Sequence, residues 1–280
     1  MAIRLIAMDI DGTLLDSAWQ VPEANSAAIA EAAERGIEIV LVTGRRFDFA
    51  RPIAEALPCP LTMIVNNGAL IKSKDGATHL RHLLPRAIAR RVLEATPQFR
   101  TGAAVVFDRP RERQVIYEKL DFNDPARKSY FERNREFLAE VSPLEDCLVE
   151  DPIQVMFSGP VAPMRDALEI LSALSATVEF SLAFTEYPQR DFTILDAVYK
   201  GSSKGAALEE WAARRGIARE NVMAIGDNWN DRDMLEFAGV PIVMANSAPE
   251  LQSLGWRVTL TNDEAGVAAA IRAHALPQAE

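Results

Sequence analysis

Five short, almost uninterrupted apolar runs constrain this chain more than any other feature. They are "IRLIAMDI" (3–10), "IEIVLVTG" (37–44), "LTMIVNNG" (61–68), "NVMAIGD" (221–227) and "PIVMAN" (241–246). A strand with one wet face alternates apolar and polar residues. A strand that stays apolar along its length is buried on both faces, which is the condition inside a parallel sheet. Helical patterns separate the runs, at 22–36, 47–57, 204–216, 231–239, 248–255 and 264–275, and "WRVTLTN" (256–262) adds a further strand. Pro22 suits a first helical turn, Gly36 a helix end, and Pro52 is expected to kink the second helix or mark its start. Strand and helix in strict alternation mean parallel pairing through crossovers. The expected class is α/β, with a Rossmann-like doubly wound parallel sheet.

The middle of the chain has another texture. Its strands, at 104–108, 113–118, 152–159, 177–184 and 192–198, mix polar with apolar residues, and helices are expected at 85–96, 125–141 and 163–174. Such strands suit a largely antiparallel sheet covered on one side, and 104–108 with 113–118 reads as a hairpin. The organisation expected is a catalytic core from residues 1–83 and 199–280, with an inserted α+β cap at 84–198. The tail "LPQAE" should be frayed.

The residues that end the apolar runs carry the chemistry. The first run delivers Asp9 and Asp11, the second Thr43, Gly44 and Arg45, and the third Asn66, Asn67 and Gly68. The run at 221–227 delivers Asp227, followed by Asn230 and Asp231. Open parallel sheets bind ligands beyond the carboxyl ends of their strands, so these groups converge on one rim. Asp9 and Asp227 brought close together need a cation, and hard oxygen ligands with room for water suit Mg²⁺. Thr43 offers a hydroxyl, Gly44 lets backbone N–H groups approach an anion, Lys204 adds a point charge at a helix start, and Asn230 a neutral donor. A cation and a ring of donors around one point make a phosphate site with a carboxylate inside it. Phosphoryl transfer asks little beyond positioning and charge neutralisation, and an aspartate can serve as its covalent nucleophile.

The segments "DIDGT" (9–13), "VTG" (42–44), "SKGAAL" (203–208) and "GDNWND" (226–231) resemble, in order and separation, the four motifs of the haloacid dehalogenase superfamily. The large insertion and "NNGA" (66–69) resemble its Cof-type branch of phosphatases. The resemblance implies Asp9 as nucleophile and Asp11 as general acid–base, its carboxyl left free to carry a proton. It implies a Mg²⁺ held by Asp9, Asp227 and the backbone carbonyl of Asp11, with Asp231 acting through a metal-bound water or orienting Lys204. Thr43, Gly44, Lys204 and Asn230 would hold the phosphoryl oxygens, Gly12 and Thr13 would shape the turn, and Asn67 would support them. Trp229 is bulky for its position and is expected to touch substrate or cap. The cap would close over the rim, exclude water and select the leaving group.

Other residues read more plainly. Arg45 and Arg46 suit structural salt bridges, His79 and His82 a solvated surface, and "RPRER" (109–113) a hairpin turn. Lys200 is the rival to Lys204. Cys59 and Cys147 match no metal spacing and are expected to be reduced fillers of a cytoplasmic protein. A net charge of -10 argues against a nucleic-acid face. No stretch reaches the length of a membrane span, and the apolar N-terminus meets charge at Asp9, unlike a signal peptide. The expected partner is a small phosphorylated metabolite of the sugar-phosphate kind, and the expected state is a monomer or homodimer. Two other outcomes use the same residues: a phosphomutase, and a signalling switch phosphorylated on Asp9.

Overall fold

The computed structural model describes residues 2–123, 127–187 and 190–276. The chain divides into two compact units, one from Met1–Arg81 with Ser202–Glu280 and one from His82–Gly201.

The first unit is built on an eight-stranded sheet, whose strands are β1 (Leu5–Met8), β2 (Glu38–Val42), β3 (Thr62–Val65), β4 (Leu70–Ser73), β5 (Thr78–Arg81), β12 (Val222–Gly226), β13 (Val240–Val243) and β14 (Arg257–Val258). Their order is β14-β13-β12-β1-β2-β3-β4-β5. The strands from β14 to β3 run parallel, as the apolar runs require, and β1 sits between β12 and β2. Alternate residues face opposite layers. Leu5, Ala7, Val40, Val42, Ile64 and Ala224 pack with Leu208, Trp211, Met234 and Leu235 of α6 (Lys204–Arg214) and α7 (Arg232–Phe237). Ile6, Met8, Ile39 and Leu41 are equally buried. They serve the opposite layer, where α1 (Glu23–Glu34) packs on α9 (Gly266–His274). Burial of one such side chain contributes about 1.5–3 kcal/mol.

Several expectations need correction here. After β3 the chain forms an antiparallel hairpin, β4–β5, which the sequence reading does not include. Helix α2 (Phe47–Ala56) does not begin at Pro52 but five residues earlier, and carries the proline inside it. The strand expected at 256–262 shrinks to Arg257–Val258, whose side chains are exposed at the sheet edge. The short helix α8 (Pro249–Gln252) precedes it.

The second unit holds a six-stranded sheet of order β10-β11-β9-β6-β7-β8. These are β6 (Ala103–Val106), β7 (Val115–Tyr117), β8 (Leu138–Glu140), β9 (Gln154–Gly159), β10 (Phe180–Tyr187) and β11 (Phe192–Tyr199). Pairing is antiparallel except between β7 and β8. One face is covered by α3 (Arg86–Ala95) and α5 (Val161–Ser175), through Val92, Leu93, Met164 and Leu171 against Val105, Val155, Phe157 and Leu195. The predicted hairpin forms between β6 and β7. Its turn ties Arg109 to Glu150 and Arg111 to Glu136. The helix expected at 125–141 is much shorter, α4 (Lys128–Arg133). Asn134 ends it by donating its amide to the Tyr130 carbonyl at 2.7 Å, and Leu138–Glu140 extends along β7 instead. The first residues of that expected helix, and the tail beyond Leu276, lie outside the described residues.

Candidate active site

Asp9 leaves the C-terminal end of β1 with its backbone N–H still in the sheet, donating to the Ile225 carbonyl at 3.0 Å. The next five residues turn sharply, with Gly12 at φ +79°. A side chain is excluded there twice over. The conformation is left-handed, and a Cβ would stand 2.4 Å from Asp227 Oδ2. Thr13 completes the turn by donating its hydroxyl to Asp227 Oδ1 at 2.8 Å. Adjacent parallel strands β1 and β12 thus hand their terminal carboxylates to one place.

The neighbouring strand ends interlock in the same way. Asn66 and Asn67 both have left-handed backbone, at φ 51° and 52°, and Gly68 follows at 92°. This backward coil lets the Asn67 N–H donate to the Thr43 carbonyl at 3.2 Å and the Asn66 N–H to that of Arg45 at 3.0 Å. Asn67 also presses on Gly44, where a Cβ would lie 2.9 Å from its side-chain oxygen, and Gly68 lies against the Ser203 carbonyl. Ser203 caps α6, accepting from the Ala206 N–H at 3.1 Å. Lys204 is therefore delivered by its helix start, and only 2% of its surface is exposed.

Lys204 Nζ donates to Asp9 Oδ1 at 2.6 Å and to Asp231 Oδ1 at 2.5 Å. Lys200 is elsewhere, paired with Glu179 on the surface. The second oxygen of Asp231 accepts the backbone N–H groups of Asp227 and Asn228, at 3.0 and 3.1 Å. Carboxylate oxygens of Asp9, Asp227 and Asp231 lie within 4.8 Å of one another. Burial, then the neighbouring carboxylates, raise Asp9 well above the usual range, against the pull of Lys204. The same causes push Asp227 up to about 7, although Thr13 and Lys204 oppose them. Burial alone would lower the Lys204 ammonium. Asp231 and Asp9 outweigh it and hold the group above the ordinary lysine range.

Two buried carboxylates, Asp9 and Asp231, and the half-buried Asp227 against one ammonium leave the cluster short of positive charge. Asp231 spends both oxygens on Lys204 and on backbone N–H groups. Asp9 Oδ2 and Asp227 Oδ2 accept no hydrogen bond among the described residues. The donor set therefore fits a hard divalent cation held by Asp9 and Asp227, with Asp231 holding the frame around it.

Arg45 forms the salt bridge expected of it, and its partner is Asp11. Arg45 clasps it through Nε to Oδ2 at 2.8 Å and Nη2 to Oδ1 at 2.5 Å. Asn230 sits half-buried in the turn Trp229–Asp231, and Trp229 is exposed beside Arg232. His79 is exposed, as expected, with its ring beside Trp211, whereas His82 is half-buried and stacks on Tyr199. Cys59 and Cys147 are free and buried, and burial pushes the Cys147 thiol up to about 11.

Two supporting residues escaped sequence reading. Asn246 donates its amide to the Gly12 carbonyl at 2.8 Å, steadying the turn that carries Asp11. It ends the run "PIVMAN", so the strand-end rule covers it too. Asp233 accepts the Gly205 N–H at 2.9 Å and ties the start of α6 to α7, a contact without a sequence signal.

The family model described as haloacid dehalogenase-like hydrolase matches residues 6–271. Phosphatase YwpJ of Bacillus subtilis (strain 168) is 29% identical over 293 residues, covering 95% of this chain and 98% of that protein. Pyridoxal phosphate phosphatase YbhA of Escherichia coli (strain K12) is 28% identical, covering 88% and 89%. Among solved structures, a haloacid dehalogenase-like hydrolase from B. subtilis superposes with a TM-score of 0.78 at 26% identity, covering 96% of this chain and 99% of the other.

Proposed function

We propose that this chain, which belongs to the haloacid dehalogenase-like hydrolase family, is a Mg²⁺-dependent phosphatase that hydrolyses a small phosphomonoester through an aspartyl-phosphate on Asp9. The observation that carries the reading is the arrangement at the ends of β1 and β12. Asp9 and Asp227 are adjacent, each keeps one oxygen without a hydrogen bond among the described residues, and Lys204 holds the other oxygen of Asp9. The named activities of the relatives from B. subtilis and E. coli support the class of substrate.

Mg²⁺, when bound by Asp9, Asp227 and the Asp11 carbonyl, would neutralise charge on the phosphoryl group. The chain's own groups do the rest. Lys204, bonded to Asp9 Oδ1, orients the carboxylate from which one oxygen attacks phosphorus. Thr43, the Gly44 N–H, Lys204 and Asn230 hold the phosphoryl oxygens as charge builds on them. As the Asp9–phosphorus bond forms and the bond to the leaving group breaks, Asp11 gives that oxygen its proton. Water then attacks phosphorus, Asp11 takes the proton from the water, and the Asp9 carboxylate departs. We further propose that the inserted unit, His82–Gly201, selects the leaving group.

The test is phosphate release with Mg²⁺ over a panel of sugar, nucleotide and cofactor phosphates, beside Asp9→Asn. The reading requires release by the wild type and loss of at least about 10³-fold in the variant, with thermal unfolding preserved. Retained turnover in Asp9→Asn would refute the mechanism. Isomerised sugar phosphate in place of free phosphate would make the protein a mutase, and a long-lived phosphoprotein a switch.

A further inference from the structure

The two aspartates of "DIDGT" have separate cations. Lys204 bonds Asp9 and Asp231, and Arg45 bonds Asp11. The second pair is bidentate, one guanidinium edge against both oxygens, which is the geometry that fixes a carboxylate in orientation as well as in place. It is also half-buried, with 20% of the Arg45 side chain and 27% of the Asp11 side chain exposed.

Arg45 is itself held. Its backbone N–H donates to Thr43 Oγ1 at 3.1 Å, and its carbonyl accepts from the Asn66 N–H at 3.0 Å. Its guanidinium lies 5.6 Å from the ring centre of Trp19, an exposed residue with φ +61°. The base of the side chain is thus locked to the ends of β2 and β3, and its tip has an aromatic face. On the other side of the pair, Asn246 holds the Gly12 carbonyl next to Asp11. Both partners stand on anchored backbone.

The cluster explains why Asp11 needs holding. Asp9, Asp227 and Asp231 already crowd one ammonium. A fourth carboxylate, two residues from Asp9 and without a cation of its own, would be drawn to Lys204 and would compete there with the nucleophile. We propose that Arg45 is a positioning residue that keeps the Asp11 carboxyl out of the Lys204 cluster and on the side from which it serves the leaving group. This rests on the phosphatase reading above. Arg45 acts through Asp11 and does not touch the phosphoryl group.

The test separates leaving groups. Nitrophenolate departs from p-nitrophenyl phosphate without needing a proton, whereas the alkoxide of glycerol 2-phosphate needs one. Arg45→Gln should lower kcat/KM for the alkyl ester about 10²-fold more than for the aryl ester, in line with the contribution of general acid catalysis. Arg45→Lys, which keeps the charge without the fork, should recover part of that difference. In single-turnover reactions on the alkyl ester, Arg45→Gln should add no further loss to Asp11→Asn, because the residue it acts through is already disabled. Equal losses on both esters, or a full additional loss in the Asp11→Asn background, would overturn the proposal, and a raised KM for both would place Arg45 on the phosphate. Wild-type protein that releases phosphate from neither ester would overturn the phosphatase reading and this one together. Unfolding temperatures for every variant keep a loss of fold apart from a loss of positioning.

Discussion

Replacing Lys204 with Met removes the ammonium from the buried carboxylates of Asp9 and Asp231 and the half-buried one of Asp227, while nearly preserving side-chain volume. Lys204 makes two hydrogen bonds, at 2.6 and 2.5 Å, from a position 2% exposed. Breaking a buried ion pair by deleting one partner costs about 3–5 kcal/mol, because the remaining charge is left without compensation. For a unit of this size each kcal/mol moves the midpoint by roughly 2–4 °C, so the unfolding transition of the first unit should fall by about 6–20 °C at pH 8 in the presence of a chelator. The sign with pH follows from the carboxylates. Asp9 and Asp227 titrate above their usual range even with Lys204 present, and more so without it. Asp227, pushed up to about 7, takes up a proton at pH 5.5 and relieves part of the repulsion, so the fall should be clearly smaller than at pH 8. Millimolar Mg²⁺ at pH 8 should recover part of the loss by supplying the missing charge. Calorimetric scans at the two pH values, with and without Mg²⁺, measure all three. A fall under about 2 °C at pH 8, or the same fall at both pH values, would refute the electrostatic account of the cluster.

Gly12→Ala forces a left-handed backbone on alanine, at about 1–2 kcal/mol, and drives its Cβ into Asp227 Oδ2. It should weaken Mg²⁺ affinity in titration calorimetry by at least about tenfold and lower turnover, and unchanged Mg²⁺ binding would contradict the placement of Asp227. In the metal-free wild type, Asp227 titrates near 7 folded against 3.8 in the unfolded chain, and Asp9 is also raised. A raised carboxyl adds stability that is complete below the unfolded value and is lost as pH climbs through the folded one. Urea unfolding with a chelator should therefore give lower stability at pH 8 than at pH 5, and Mg²⁺ should narrow the gap. Equal stability at both pH values would count against the coupling.

How legible was this protein? Asp9, Thr43, Asn67, Lys204, Asp227 and Asp231 all stand at strand ends or at the helix start after the insertion. Parallel strands share one direction, so their carboxyl ends share one rim, and apolar runs suffice to find it. The rest hides for physical reasons. "LIKS" and "THLR" carry too few residues and too mixed a pattern to announce the β4–β5 hairpin. The stretch 125–141 looks helical by composition, yet one asparagine caps it early and pairing with β7 claims its end. The clasp of Arg45 on Asp11 joins residues 34 positions apart through side-chain orientation, which no local pattern records.

The place of β1 has a consequence for how the protein comes into being. Its partner on one side is β2, but on the other it is β12, more than two hundred residues later in synthesis. Asp9 likewise waits for Lys204 across 195 positions. The contiguous second unit, with its own core, can condense as soon as it leaves the ribosome, whereas the opening strands stay unpaired along one edge until the last quarter of the chain arrives. During that interval β1 is an exposed apolar edge, the kind of surface that aggregates or recruits chaperones. A chain stalled before Val222 carries Asp9, Asp11 and Lys204 and yet has no site, because chemistry and fold are completed by the same late strand.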